Sequence, residues 1–350
     1  MEGRTVRAGN IPDGAGPGRN EWNANLASMD GHLLQAWQWG SFKARHGWTV
    51  ERIAWPANGE PRAMAQVLFR SRGPVSIGYI PRGPAFVSND EEAVTGVLRA
   101  IDRVANQHRA LFLVIEPNSP LPLTGSFRDH GFVKGPTPIQ PERTVQVPLL
   151  DDESILKQMH EKTRYSVRLA RRRDVVIDVP EDTASGAAEF FGLLSDTSSR
   201  NAFAIRPLEY YADFLEEFGE NARLILARHD DQLAAGVIVA RFGRESMYMY
   251  GASSTVNRGN GAAFLLQFEA MRWGRDGGAE IYDLWGIPVD DPKSTGGDGR
   301  AEGTKGDDWS GLYRFKTGFG GEIVRFPVAI ERRYHPLLGA AAKRMIGQHE

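Results

Sequence analysis

Residues 157–173, KQMHEKTRYSVRLARRR, hold seven lysines and arginines against one acid, Glu161, in a 350-residue chain of formal net charge −2. On a helix the segment divides into two faces. Ile155, Met159, Tyr165 and Leu169 recur near i, i+4 spacing and are expected to pack inward. Lys157, Arg164, Arg168, Arg171 and Arg172 follow a second stripe of one sign. Surface helices ordinarily mix Glu with Lys, because opposite charges at i, i+4 stabilise and like charges repel by roughly 0.2–0.5 kcal/mol. A polyanion neutralises such a stripe, and the planar arginine fork suits phosphate because it donates two parallel hydrogen bonds. The competing reading is a solvated basic face, favoured at Arg171–Arg173 by the helix dipole. The chain is not basic overall, so general coating of DNA or RNA fits poorly and a local contact with one nucleic-acid element fits better.

Other chemistries are bounded by composition. There is no cysteine, which removes thiolate nucleophiles, disulfides and Cys-based zinc sites. The eight histidines include no His-x-x-x-His pair with a third partner, so no metal site is expected. Lysine supplies only 8 of the 42 basic residues, which singles out an isolated lysine in a structured segment. The first residues, MEGRTVRAGNIPDGAGPGRN, carry no apolar signal-peptide core and read as a disordered tail over 1–20. No uncharged apolar run approaches the ~18–20 residues that span a bilayer, so a cytoplasmic protein is expected.

The elements that must position these residues repeat. HLLQAWQWGSFKARHGW (32–48) reads as one amphipathic helix with Leu33, Leu34, Trp37, Phe42 and Trp48 inward. RAMAQVLFR and SIGYIPRGPAFV form a strand pair, residues 90–109 a helix capped by Asn89 or Asp90, and ALFLVIEP a buried strand. TVQVPL (144–149) closes that unit. The order then returns: QLAAGVIVARFG and ESMYMYGASS, the helix 261–278, the strand EIYDLWGIP, and LYRFKTGFGGEIVRFPVAI as a turn and a strand. Helical stretches around 187–194 and 208–218 separate the two units. A duplicated α+β fold follows. The glycine-rich, apolar-poor stretch 288–310 is expected to be a mobile loop, either a lid or a solvated insertion.

LLQAWQWGSFKARHGW, GYIPRGPAF, KTRYSVRLARR, YGASS, YDLWGIP and GLYRFKTGFGG stand here in the order in which the FemABX family carries such motifs, and the chain resembles that family over about residues 30–330. The family comprises aminoacyl-tRNA-dependent peptidyltransferases that build the interpeptide bridge of peptidoglycan. The resemblance implies two tandem GNAT-like domains: residues 21–148 completed by 325–350, and residues 149–324 with the basic helix 155–173. No stretch is long enough for the coiled-coil arm of some members, so the chain is similar to the armless subgroup. The implied partners are aminoacyl-tRNA and a UDP-linked or lipid-linked muropeptide precursor, with no DNA, no cofactor and at most transient membrane-surface contact, and the protein is expected to be a monomer. The implied reaction is aminolysis of the activated ester by a stem-peptide amine.

The same resemblance assigns residues where local motifs match. Lys316 corresponds to the family's C-terminal lysine, with Phe315 beside it and Tyr313 and Phe319 near enough to stack on an adenine or hold an ammonium. The bland alternative is a lysine snorkelling over a packed turn. Lys43, Arg206 and Tyr210 resemble precursor-binding residues, as does Tyr250, with Tyr248 an alternative for that position. Glu116, at a strand end, is a candidate proton acceptor or merely a cap. NRGNGAAF (257–264) satisfies the Arg-x-x-Gly-x-Ala phosphate turn of acyl-CoA enzymes through Arg258, Gly259 and Gly261. That match leaves open an acyl-CoA-dependent N-acyltransferase, and a non-catalytic precursor- or RNA-binding scaffold stands as a third reading.

Overall fold

The computed structural model describes residues 18–88, 90–119, 126–201, 204–255, 259–289 and 309–335. The tail up to residue 17, Arg258, Asn89, most of the expected mobile loop (290–308) and residues 336–350 lie outside the described residues.

The first unit runs α1 (Arg19–Ser28), a 3-10 turn (Leu33–Gln35), α2 (Trp37–Arg45), β1 (Thr49–Trp55), β2 (Ala63–Arg72), β3 (Val75–Pro81) and β4 (Ala85–Phe86). It continues through α3 (Glu91–Gln107), β5 (Ala110–Glu116), α4 (Ser126–Asp129) and β6 (Val133–Lys134). The second unit opens with β7 (Arg143–Pro148), α5 (Asp152–Gln158), α6 (Glu161–Arg172), β8 (Val176–Asp178), α7 (Thr183–Asn201) and α8 (Leu208–Phe218). Then follow β9 (Ala222–His229), β10 (Gln232–Phe242), β11 (Glu245–Ser253), α9 (Ala262–Asp276), β12 (Ile281–Gly286), α10 (Trp309–Thr317), β13 (Glu322–Arg325) and β14 (Ile330–Arg333). Two mixed seven-stranded sheets result, ordered β1-β2-β3-β5-β14-β6 with β4 beside β2, and β13-β7-β12-β11-β10-β9-β8. The chain is therefore a duplicated α+β protein.

Several expectations are corrected here. Residues 32–48 are not one helix: Ala36 is extended, with ψ 153°, so a 3-10 turn and α2 meet at an angle and Trp48 falls in the link to β1. Arg19 and Asn20 begin α1 rather than ending a tail, because Trp22 and Leu26 are buried. The strand at 143–148 does not close the first unit; its antiparallel partners β12 and β13 draw it into the second sheet. β14 pairs with β5 and β6 in the first sheet, the unit to which the resemblance assigns residues 325–350. LYRFKT is helical, not a turn. The basic segment breaks at Met159, whose ψ is 144°, into α5 and α6.

Helix α3 shows how local sequence makes these elements. The Asp90 carboxylate accepts from the Glu92 and Ala93 amides, and Val94, Val97, Leu98 and Ile101 bury one face. That face covers one side of the first sheet. The other side shares a core with the second unit, in which Phe42, Leu68 and Val114 meet Phe190, Phe214 and Ile238. The far face of the second sheet packs against α5, α6, α9 and α10 through Val147, Val167, Phe268 and Phe319.

Helix α6 lies against the start of α9 so closely that a Cβ on Gly261, where φ is +84°, would sit 2.2 Å from the Ser166 carbonyl oxygen. Both the left-handed backbone and the contact require glycine there. Gly261→Ala is expected to destabilise the protein by roughly 1–3 kcal/mol in equilibrium urea unfolding. A wild-type midpoint would mean that α6 is not held in this contact.

Candidate active site

The second sheet opens where the first stays closed. Its parallel strands β11 and β12 pair only at Glu245–Ile281, Ser246–Tyr282 and Met247–Asp283. In the first sheet the parallel pair β3 and β5 stays paired from Gly78–Leu113 out to Pro81–Glu116. A β-bulge on the other side of β11, between Ile238 and Val239, breaks the two-residue alternation. Tyr248 therefore packs with the core under α9 and α10, and Tyr250 with the core shared by the two units.

Lys316 reaches the opening from α10. It is only 5% exposed, its Nζ donates to the Gly286 carbonyl at 2.8 Å, and it lies 5.2 Å from the centre of the Tyr248 ring. Burial disfavours the ammonium and lowers the pKa to about 7, with the Asp283 charge acting the other way. Burial likewise pushes the Tyr248 phenol up to about 12. Phe315 packs at a tilt against Phe264, 5.1 Å between ring centres, and edge-on against Phe319 at 5.2 Å. Tyr313 lies 5.7 Å from the Arg143 guanidinium.

On the opposite side of β11, Lys43, Arg206, Tyr210 and Tyr250 come together. Lys43 Nζ stands 5.3 Å from Trp39, 5.6 Å from Trp48 and 5.7 Å from Tyr210, measured to ring centres. Arg206 lies 5.7 Å over Tyr210, and the Tyr210 and Tyr250 rings are 6.4 Å apart. His46 adds a ring 4.7 Å from Tyr210 and sits 3.2 Å from Asp213, with burial lowering its pKa. α2 brings Lys43 and its C-cap is His46, and α8 brings Tyr210; Arg45 pairs with Asp213 and Glu216 across that seam. The cluster combines cations, a phenol and aromatic walls, which suits an anionic ligand with polar branches.

Glu116 belongs to the first sheet, at the end of β5. It is 2% exposed, and its carboxylate accepts from the Ile139 amide at 2.6 Å, the Gln140 amide at 2.8 Å and the Tyr79 hydroxyl at 3.0 Å. Those bonds give it an orienting task on the 139–140 loop. Burial still pushes its pKa upward.

The basic stripe is redistributed by the break at Met159. Arg164 turns back, and its Nη1 donates to the Leu156, Lys157 and Met159 carbonyls, capping α5. Arg171 reaches Glu269 at 3.4 Å and covers Phe268. Lys157 and Arg168 are exposed, as is Lys162. Tyr165, expected inside, is 56% exposed with Arg172 5.6 Å over its ring, while Thr163, Val167 and Ala170 fill the inward face. The outer stripe is thus Lys162, Tyr165, Arg168 and Arg172, basic with an interleaved aromatic. The His160 amide donates to the Gly318 carbonyl at 2.8 Å, which anchors α6 two residues beyond Lys316. At the turn of 259–261 the chain's own groups occupy the backbone: the Asn260 side chain accepts from Ala262, Arg173 donates to the Gly259 carbonyl, and Ser166 abuts Gly261.

Sequence reasoning passed over Lys162, Asp283 and the Trp39 and His46 rings, took Trp48 only as a packing residue, and offered Tyr248 only as an alternative to Tyr250. Asp283 carried a usable signal, since it is a carboxylate inside an otherwise apolar strand, IYDLWG. The faces of Tyr248 and Tyr250 depend on the bulge, which no residue type announces.

Comparison with known proteins agrees with this layout. The chain matches the FemAB family over residues 20–130, 126–232 and 228–345. It is 24% identical over 344 residues to Lipid II:glycine glycyltransferase of Staphylococcus epidermidis, with 76% of this chain and 82% of that protein covered. The protein of the same name from Staphylococcus aureus is 24% identical over 349 residues, with the same coverage. The crystal structure of FemX superposes with a TM-score of 0.79 at 21% identity, covering 93% of this chain and 98% of the other. L-PGS from Bacillus licheniformis shares the fold more loosely, with a TM-score of 0.56 at 15% identity and coverage of 97% and 99%. The family match runs through both units and both faces of β11, and the chain belongs to the FemAB family.

Proposed function

We propose that this protein transfers an amino acid from aminoacyl-tRNA to an amine of the stem peptide of a peptidoglycan precursor. The observation that carries the reading is the placement of two chemically distinct groups on opposite sides of one strand, where that strand parts from its neighbour. Lys316 and Tyr248 lie on one side, and Lys43, Arg206, Tyr210 and Tyr250 on the other. Two relatives named for glycyl transfer to Lipid II support the substrate class.

In this reading the aromatic and cationic cluster holds the precursor, and the outer face of α6 takes the acceptor arm of the tRNA. The amine nitrogen attacks the ester carbonyl carbon; the C–N bond forms, the C–O bond to the ribose breaks, and the proton lost by nitrogen ends on the ribose oxygen. The ester is already activated, so the step needs neither ATP nor a cofactor. With its pKa near neutrality, Lys316 serves in both forms: the amine accepts a proton, and the ammonium steadies the developing oxyanion. Charged tRNA confines the reaction to the cytoplasmic side of the cell. No helix among the described residues is long and apolar enough to cross a membrane. The acyl-CoA alternative rests on the 258–261 turn, where Gly261 is pressed against α6.

The direct test is transfer of labelled amino acid from charged tRNA to precursor; no transfer with any charged tRNA would sink the reading. Lys316→Met is expected to lower kcat by roughly 10²–10⁴-fold. It should also stabilise the fold, because the buried lysine binds its proton more weakly than the unfolded chain does. Between about pH 7 and the ordinary value of 10.5 the unfolded state holds more protons, so wild-type stability rises across that window. The gain from methionine should therefore be largest at or below pH 7, about 1–4 kcal/mol, and fade as pH climbs. Thermal unfolding of both proteins on either side of that window checks it. Reversing Lys162 and Arg168 to glutamate should raise KM for charged tRNA and reduce the salt slope by about 1–2, leaving KM for the precursor unchanged. An equal loss of precursor binding would return α6 to a structural role.

A further inference from the structure

Asp283 is 1% exposed on β12 and has no task in the chemistry above. Its Oδ1 accepts from the Thr144 hydroxyl at 2.5 Å and from the Trp285 amide at 2.6 Å, and its Oδ2 from Gln146 at 3.2 Å. Thr144 and Gln146 belong to β7, so the neighbouring strand clamps the carboxylate before it meets its own backbone two residues on. That last bond closes an Asx-type turn. Trp285 takes φ +62°, a left-handed conformation that bulky residues rarely adopt. The β12–β7 register slips across this turn, between Asp283 and Gly286. Beyond it the Gly286 carbonyl receives Lys316 Nζ at 2.8 Å. The Trp285 ring faces the first unit, 5.9 Å from His32.

We infer that Asp283 is a positioning residue for the transfer reaction: by closing the turn at Trp285 it fixes the Gly286 carbonyl that holds Lys316 Nζ beside Tyr248. This rests on Lys316 standing at the reaction centre. The alternative, a carboxylate that only stitches β12 to β7, would leave Lys316 indifferent to it. Among the described residues the charged and titratable groups around the pair are few. Tyr248 on β11 faces Lys316; Tyr282, Glu245 on β11 and Arg82 from the first unit act on or beside Asp283. Asp283 also opposes the loss of the Lys316 proton, so removing it should both free the amine from its carbonyl and lower its proton affinity. The two effects act in the same direction on amine reactivity.

The test reads Lys316 directly. Full-length protein is pulsed with acetic anhydride from about pH 5.5 to about pH 9, and acetylation of Lys316 is followed by mass spectrometry. Asp283→Ala should move the labelling curve to lower pH by roughly one unit. In the transfer assay kcat should fall about 10–100-fold, with KM for each substrate within about twofold. Asp283→Asn retains an acceptor for the Trp285 amide; it should recover most of kcat while the labelling curve stays shifted. A folded Asp283→Ala protein with wild-type kcat and a wild-type Lys316 curve overturns the inference. Should alanine fail to fold, Asp283→Asn decides it: the retained acceptor closes the turn, so a folded Asn variant whose kcat is as low as that of Lys316→Met overturns the positioning role. Absence of transfer by the wild-type protein would instead strike the proposed function, and labelling would still decide the role of Asp283.

Discussion

A lysine ammonium in a dry cleft between sheet strands is costly, and the second unit is arranged around that cost. Lys316 gives up nearly all of its solvent and receives one carbonyl, one aromatic face and the distant pull of Asp283. That set is too small to restore the hydration of a full positive charge, so the proton is held loosely. Hydrophobic packing must hold the helix that carries the lysine. Phe319, fully buried, and Phe315 anchor α10 against Phe264 of α9. The GFGG run lets backbones close in; a Cβ on Gly320 would meet the Gln158 carbonyl at 2.4 Å. The same run joins α10 to the start of α6, so the basic helix and the lysine are placed as one piece.

The opposite cluster depends on the association of the two units. Lys43 comes from the first and Tyr210 and Tyr250 from the second, so none of them forms a site alone. Their relative position is set by the apolar core that both units share, in which Phe42 meets Tyr210 at 4.7 Å and Phe214 at 5.4 Å between ring centres. Burial of that kind, about 1.5–3 kcal/mol for each large side chain, outweighs the half-exposed Arg45 pairs on the rim. The seam is a core first, and the cationic and aromatic cluster is mounted on it.

Much of this was legible because it is periodic. The helical spacing in 91–107, the apolar runs of β2, β5 and β10, and the recurrence of their order are readable from residue types. The convergence of Lys43, Arg206, Tyr210 and Tyr250 was reached through motif resemblance, since no local pattern links positions 43 and 250. What escaped depends on geometry that residue type does not encode. The Met159 break turns Arg164 from a stripe residue into a cap and brings Tyr165 out. The pairing of β7 with β12 and β13 needs partners more than a hundred residues downstream, and only the assembled sheet selects them. The tyrosine faces hang on one bulge.

The duplication sets a closed copy of the sheet beside an opened one. In each sheet the parallel pair ends at a buried carboxylate on its second strand, Glu116 on β5 and Asp283 on β12, and each accepts three hydrogen bonds. Arg82 acts electrostatically on both. Glu116 uses its acceptors to tie down the 139–140 loop and Tyr79, and the pair β3–β5 stays closed to its end. Asp283 uses one of its acceptors on its own chain, which bends at Trp285 and parts from β11. The closed copy keeps its strands paired to the end, and in the opened one the bend presents the Gly286 carbonyl to Lys316.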